Sequence, residues 1–308
     1  MASRHVRILL GTYNGARWLS AQLQSFYTQT HTDWSLWVSD DGSTDGTREI
    51  LEDFAEANPG RVERILEGPR QGSAANFLSL LCHPELPVEG LTALSDQDDV
   101  WLPDKLARAT RALDGGGEAP PQGWAARFFI TDETIGRRRV SKGWPRGPSF
   151  GNALVQNIMS GHTTTLNPAA LSLIRQAGRQ PVPHHDWWIY QLLAGAGAEI
   201  HLDPEPLLLY RQHADNHYGA RWGLRAFIAR YVLMRDRKAQ GWVASNVAAL
   251  EACAPLLTEE ARTCLAGYRA LDGVTGSARV AAFRRLGLVR QSHAGTRMLH
   301  LAARLGHI

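Results

Sequence analysis

The chain has 308 residues, 44% hydrophobic and 20% charged, which is enough apolar material for a buried core and excludes global disorder. No run approaches the ~18–20 apolar residues that span a bilayer. The net charge of +3 is unevenly spread: residues 221–308 hold 14 Lys/Arg against 5 Asp/Glu, whereas residues 1–220 hold 19 against 25.

Residues 6–10 form a short apolar run closed by Gly11, the pattern of a buried strand. Leu19, Leu23 and Phe26 then recur at helical spacing within 18–27. Residues 34–38 read as a second strand that ends in the polar turn 39–46. A helix is expected over 47–57, with Ile50, Leu51 and Phe54 inward and Pro59-Gly60 as its stop. Residues 62–66 read as a third strand, 74–81 as a helix and 91–94 as a fourth strand. This alternation predicts an α/β fold with a mostly parallel sheet flanked by helices. Ligands of such sheets bind beyond the carboxyl ends of the strands. The Gly/Pro-rich stretch 114–123 reads as a loop, and 128–130 as a further strand. Arg137, Arg138, Arg139 and Lys142 follow in a stretch read as mobile. From Trp222 onward the pattern is helical, with apolar positions Val280, Phe283, Leu286 and Met298, Leu301, Ala302, Leu305 beside arginines. The division expected is a catalytic domain over 1–220 and a basic helical region over 221–308.

Three polar clusters follow predicted strands. Ser95-Asp96-Gln97-Asp98-Asp99 sets three carboxylates in four positions after the fourth strand. Such groups repel, and a divalent cation relieves the repulsion; a solvated acidic loop is the plainer alternative. Thr12-Tyr13-Asn14 follows the first strand. Its tyrosine could stack on a base, or the run could be a simple helix-capping turn. Asp40-Asp41-Gly42-Ser43-Thr44-Asp45-Gly46 follows the second strand and could accept from a base or ribose, or form an Asx-rich turn.

Together, Gly11-Thr12-Tyr13-Asn14-Gly15, Val38-Ser39-Asp40-Asp41-Gly42-Ser43-Thr44-Asp45-Gly46 and Ser95-Asp96-Gln97-Asp98-Asp99-Val100-Trp101 resemble the family 2 glycosyltransferases with the GT-A fold, in particular bacterial rhamnosyltransferase-like members. The resemblance spans about residues 5–218. It implies a nucleotide-sugar donor, Mg²⁺ or Mn²⁺ as cofactor, and inversion at the anomeric carbon. By the same match Thr12, Tyr13, Asn14 and Asp41 would contact the base or ribose, Asp96 the donor sugar or ribose, and Asp98 the metal. Gly161-His162-Thr163 falls where the acceptor side is shaped. His184-His185-Asp186-Trp187-Trp188 resembles the late acidic motif, with Asp186 as general base; a helix cap is the structural alternative for it. Tyr210-Arg211-Gln212-His213-Ala214-Asp215-Asn216 resembles the motif that closes the catalytic domain. Arg211 would contact the diphosphate, and His213 would ligate the metal or donate to the diphosphate.

The expected reaction is a single displacement in which Asp186 takes the acceptor proton. The acceptor expected is a glycan or lipid-linked hydroxyl in cell-surface polysaccharide synthesis. No glycine loop of the G-x-x-x-x-G-K-[ST] kind points to phosphoryl transfer, and no nucleic acid partner is expected. A non-catalytic nucleotide-binding or scaffold protein is the rival reading. Cys82, Cys253 and Cys264 lack metal spacing, and residues 1–10 meet a polar turn too soon for a signal peptide, so a cytoplasmic protein is expected. The basic C-terminal region is expected either to touch the anionic inner membrane face or to serve packing or homodimerisation.

Overall fold

The computed structural model describes residues 5–113, 119–213 and 237–308. Ala214, Asp215 and Asn216 of the late motif, and residues 221–236 of the basic region, lie outside these.

Three strands carry the first half of the fold: β1 (Val6–Thr12), β2 (Trp34–Asp40) and β3 (Val62–Glu67), joined by α1 (Ala16–Tyr27) and α2 (Thr47–Ala57). After α3 (Ser73–Leu81), β4 (Leu91–Ser95) returns to the other side of β1. All four are parallel. β2 and β4 are buried along their whole length, because helices cover both faces of a parallel sheet, and this is why they read as mostly apolar runs rather than as alternating ones.

The remaining strands are β5 (Val100–Trp101), followed by helix α4 (Lys105–Ala112), then β6 (Gln122–Thr131), β7 (Arg138–Val140), β8 (Thr165–Leu166) and β9 (Glu199–Arg211). The sheet order is β3-β2-β1-β4-β8-β6-β9-β5, with β7 on β6. The long β6–β9 ladder is parallel; the short ladders to β8, β5 and β7 are antiparallel. The sequence expectation for 128–130 catches only the later part of a ten-residue strand; of the expected loop 114–123, residues 114–118 lie outside the described residues and 122–123 belong to β6. The basic stretch read as mobile contains β7, whose Arg138–Val140 backbone pairs with Thr131–Phe129.

Side-chain alternation divides the core. Leu9, Trp37 and Leu94 face one layer; Ile8, Leu10, Leu36, Val38 and Ala93 face the other. The first layer also contains residues of α6 (Pro168–Ala177) and α7 (His185–Gly195). It continues without a break into the helices α8 (Arg237–Ala252), α9 (Glu259–Arg269), α10 (Gly276–Arg285) and α11 (His293–Arg304) through Leu250, Leu257, Leu265 and Phe283. Side-chain oxygens of Asn167, Thr258 and Ser292 accept the free backbone N–H groups at the starts of α6, α9 and α11. A four-residue helix, α5 (Phe150–Ala153), sits between α7 and the C-terminal segment.

Register brings the sequence motifs to one edge. Thr12 pairs with Asp40 and Leu10 with Ser95, so the three polar clusters emerge side by side at the carboxyl ends of β2, β1 and β4. The end of β9 joins them, since the Arg211 N–H donates to Asp99 Oδ1 across 3.3 Å.

Candidate active site

The turn after β1 and the turn after β2 hold each other. Thr12 Oγ1 donates to Asp40 Oδ1 at 2.8 Å, and Asp40 Oδ2 accepts the Ser43 N–H. Asn14 takes a positive φ of 47°, a conformation asparagine tolerates, and its Oδ1 accepts the Thr44 N–H. Asp41 is buried, and its two oxygens accept the N–H groups of Arg70 and Gly72 at 2.6 and 2.7 Å. It thus fastens the loop after β3, and the Arg70 side chain lies against Gly42. Tyr13 is 58% exposed and leaves its ring open to stacking.

Gln97 carries a role that the spacing of the carboxylates hides. Its amide accepts from the Tyr13 N–H and donates to the Tyr13 carbonyl, tying the strand-one turn to the acidic turn. Gly15 lies close beside it: a Cβ there would come 2.2 Å from Gln97 Oε1 and displace the amide from these bonds.

The acidic turn is graded in burial. Asp96 is partly exposed and Asp98 less so, whereas Asp99 is fully buried. Burial and the neighbouring charge of Asp96 hold Asp98 above the usual carboxylate range. Burial does the same, more strongly, to Asp99. His213 Nε2 lies 2.8 Å from Asp98 Oδ2, and its ring stacks on Trp18. His162 Nδ1 faces Asp96 and Asp99 at 3.5 and 3.7 Å, its ring packed on Tyr210 and the edge of Phe128. Among the described residues, Asp96, Asp99 and His162 place ligand atoms within 4.8 Å of one another, a set that could hold a metal ion.

Arg211 is buried. Its Nε and Nη1 donate to the carbonyls of Asp98 and Glu133, and its guanidinium lies 4.4 Å from the Trp18 ring centroid. The exposed guanidinium in this area is that of Arg17, which pairs with Glu133 at 2.6 Å and also lies over Trp18. Arg17, Trp18 and Glu133 belong to no acidic or histidine motif, and sequence reasoning passed over them.

Asp186 sits in the first turn of α7, not at its cap; the capping position is His184. It is half-buried, Oδ1 accepting the Trp187 N–H and Oδ2 the Gly161 N–H at 3.3 Å. The helix N-terminus favours its negative charge. The Gly161 N–H that it accepts belongs to the residue before His162, which faces Asp96 at 3.5 Å, so one loop links Asp186 to the acidic turn; the charges of Asp99, Asp96 and Asp186 raise the pKa of His162 against the effect of burial. His185 is buried beside Asp186, stacked 4.1 Å from Phe77, and burial lowers its pKa. A Cβ on Gly161 would lie 2.6 Å from His185 Nε2, so only glycine lets the loop approach α7 this closely.

A mostly parallel sheet that gathers the Tyr13 turn, the acidic turn and Asp186 at one edge has the architecture of a GT-A glycosyltransferase. The glycosyl transferase family 2 model matches residues 8–175, more than half of the chain, and the chain belongs to that family. It is similar to a dTDP-rhamnosyl transferase of Shigella flexneri, 27% identical over 235 residues, covering 74% of this chain and 80% of that one. It is also similar to an Escherichia coli UDP-Glc:alpha-D-GlcNAc-diphosphoundecaprenol beta-1,3-glucosyltransferase, 30% identical over 33% of this chain and 38% of that one. Among solved structures it shares its fold with S. aureus TarS in complex with UDP-GlcNAc (TM-score 0.54, 16% identity, 79% of this chain and 66% of that one). It shares it likewise with a Pyrobaculum calidifontis mannosyltransferase in complex with GDP-Man and Mn²⁺ (TM-score 0.51, 20% identity, 99% and 87%). No helix of the described residues is long and apolar enough to cross a membrane.

Proposed function

We propose that this glycosyltransferase is inverting and metal-dependent, and that it moves a sugar from dTDP-rhamnose or a UDP-sugar to a hydroxyl of a glycan or lipid-linked acceptor in bacterial cell-surface polysaccharide synthesis. The observation that carries the reading is that the Gly161-His162 loop touches both Asp186, through the Gly161 N–H, and the acidic turn, through His162 and Asp96. The long match to a rhamnosyl transferase supports the donor.

Thr12, Tyr13, Asn14 and Asp41 form the base and ribose end, with Tyr13 as the stacking platform and Asp41 holding the Arg70 loop against it. Asp96 faces the ribose or sugar. The residues fit a divalent cation: crowded, partly desolvated carboxylates stand beside an imidazole at hydrogen-bond distance. We assign Asp98 and His213 as the ligands, because His213 Nε2 stands 2.8 Å from Asp98 Oδ2 and Asp98, unlike Asp99, is not fully buried. When bound, the cation supplies positive charge to the leaving diphosphate. Arg211 acts on that end by fixing the Asp98 backbone. Asp186 accepts the acceptor's hydroxyl proton as that oxygen attacks the anomeric carbon from the face opposite the diphosphate, a contribution of about 10²–10⁴-fold.

A donor screen reads this directly. Protection against thermal unfolding with Mn²⁺ should select one nucleotide-sugar, and transfer should stop in EDTA and return with Mn²⁺ or Mg²⁺. Proton NMR of the product should show the anomeric configuration inverted. Full activity in chelator, or a retained configuration, overturns the mechanism.

A further inference from the structure

Beyond Asp272 the chain holds no aspartate or glutamate, yet it holds six arginines. Two of these work internally: Arg279 donates to the carbonyls of Leu271 and Val274, and Arg290 to that of Val155. The other four, Arg284, Arg285, Arg297 and Arg304, are exposed. On α11 the inner residues Met298, Leu299, Ala302 and Ala303 are buried. Arg297, Leu301, Arg304 and Leu305 stand outward at i, i+4, i+7 and i+8, one ridge of the helix. Leu301 and Leu305 are 49% and 50% exposed, two of the four large apolar side chains so exposed among the described residues. Arg284 of α10 lies close enough to His300 to bear on its charge, which joins α10 to the ridge.

Single exposed leucines are ordinary on protein surfaces. Here two stand one turn apart among guanidinium groups, on a segment with no acid to neutralise them. We propose that the α10–α11 ridge rests on an anionic lipid bilayer, its leucines entering the headgroup boundary and its arginines pairing with lipid phosphates. Charge complementarity selects an anionic partner, and the leucines select a bilayer over nucleic acid, which would leave them in water. α11 has only 12 residues and its other face is core, so it lies along the surface and does not insert across it. The same C-terminal segment is keyed to the catalytic helix: Gln291 and the Tyr190 hydroxyl of α7 both donate to Asn152 Oδ1. Membrane contact would thereby orient the cleft. The inference extends the reading of a lipid-linked acceptor, but it is measured without donor or acceptor, so the two stand or fall separately.

The test is flotation of the full chain with phosphatidylcholine vesicles, alone or mixed with phosphatidylglycerol, at low and physiological salt. Binding is expected only with the anionic vesicles and should weaken with salt. Arg297→Gln and Arg304→Gln should each lower the partition coefficient about 5-fold. Leu301→Ser with Leu305→Ser should abolish retention at physiological salt while thermal midpoint and donor hydrolysis stay unchanged. The proposal is overturned by failure to bind anionic vesicles at low salt, by binding that these variants leave intact, by a preference for duplex DNA over the vesicles, or by a dimer that the leucine variant dissociates.

Discussion

At the scale of residues, the argument turns on Asp186 and its neighbours. Asp186→Asn keeps the side-chain shape and an oxygen for one backbone N–H, and removes the proton acceptor. Donor KM should hold within a few-fold while kcat falls by ~10² or more. A normal kcat would assign the base elsewhere, and loss of donor binding would make Asp186 a binding group. The adjacent His185 gives a stability readout. Its pKa is lowered from 6.5 by burial, so the unfolded chain binds a proton that the folded chain refuses. Stability from this residue is complete above about pH 6.5 and is lost as pH falls from there toward the lower folded value. His185→Phe preserves the stack on Phe77 and removes the titration. Its thermal midpoint should fall less than that of the parent between about pH 6.5 and pH 5; parallel curves would remove His185 as the cause. The strand-end motifs were legible in sequence because each follows an apolar run. Gln97, Arg17 and Trp18 were not, because their work is done through backbone contacts and ring stacking that no spacing encodes.

At the scale of elements, the readable parts were those with one dominant pattern. β2 over 34–38 and β4 over 91–94 are mostly apolar, and α1 and α2 repeat apolar residues at helical spacing, so they stood out. β9 did not. Its stretch Glu199–Arg211 includes His201, Asp203, Pro204, Glu205 and Pro206, and its pairing with β6 shifts register at Arg127; only the last third is apolar. Prolines and charges are tolerated there because its first half is solvent-facing. α5 escaped notice for its brevity, yet it joins three parts of the chain. Asn152 Nδ2 donates to the Val289 carbonyl, and its Oδ1 accepts from Tyr190 and Gln291. Asn152→Leu keeps the branched outline of the side chain but removes all three bonds; Tyr190 and Gln291 retain their bonds to Ser149 and Gly147, whereas the Val289 carbonyl loses this donor. It should cost about 2–3 kcal/mol, read as a lower urea midpoint at unchanged m. A loss under 0.5 kcal/mol would show that water replaces the amide.

At the scale of the whole molecule, the question is whether the basic helices form a unit of their own. Net charge separates residues 221–308 from the rest, and a division near residue 220 follows from it. Packing does not respect that division. Val247, Leu250, Cys253, Leu257 and Leu265 belong to the same buried cluster as Leu173, Ala177, Leu192 and Leu193. A Cβ on Gly195 would lie 2.9 Å from the Leu257 side chain, the Thr258 N–H donates to the Gly195 carbonyl, and the Cys253 thiol faces the Ala177 carbonyl. Burying each large aliphatic side chain contributes about 1.5–3 kcal/mol, and a domain's net stability is only about 5–15 kcal/mol. Losing several such contacts, with α6 and α7 left bare, removes more than the margin. The full chain should therefore unfold in one transition, with tryptophan fluorescence and far-ultraviolet circular dichroism coincident. A chain ended at residue 220 should be recovered aggregated, or soluble without a cooperative melt. A truncated chain that melts sigmoidally and still gains thermal protection from nucleotide-sugar and Mn²⁺ would show that the catalytic sheet folds without the helices, and that the shared core is an interface between two domains.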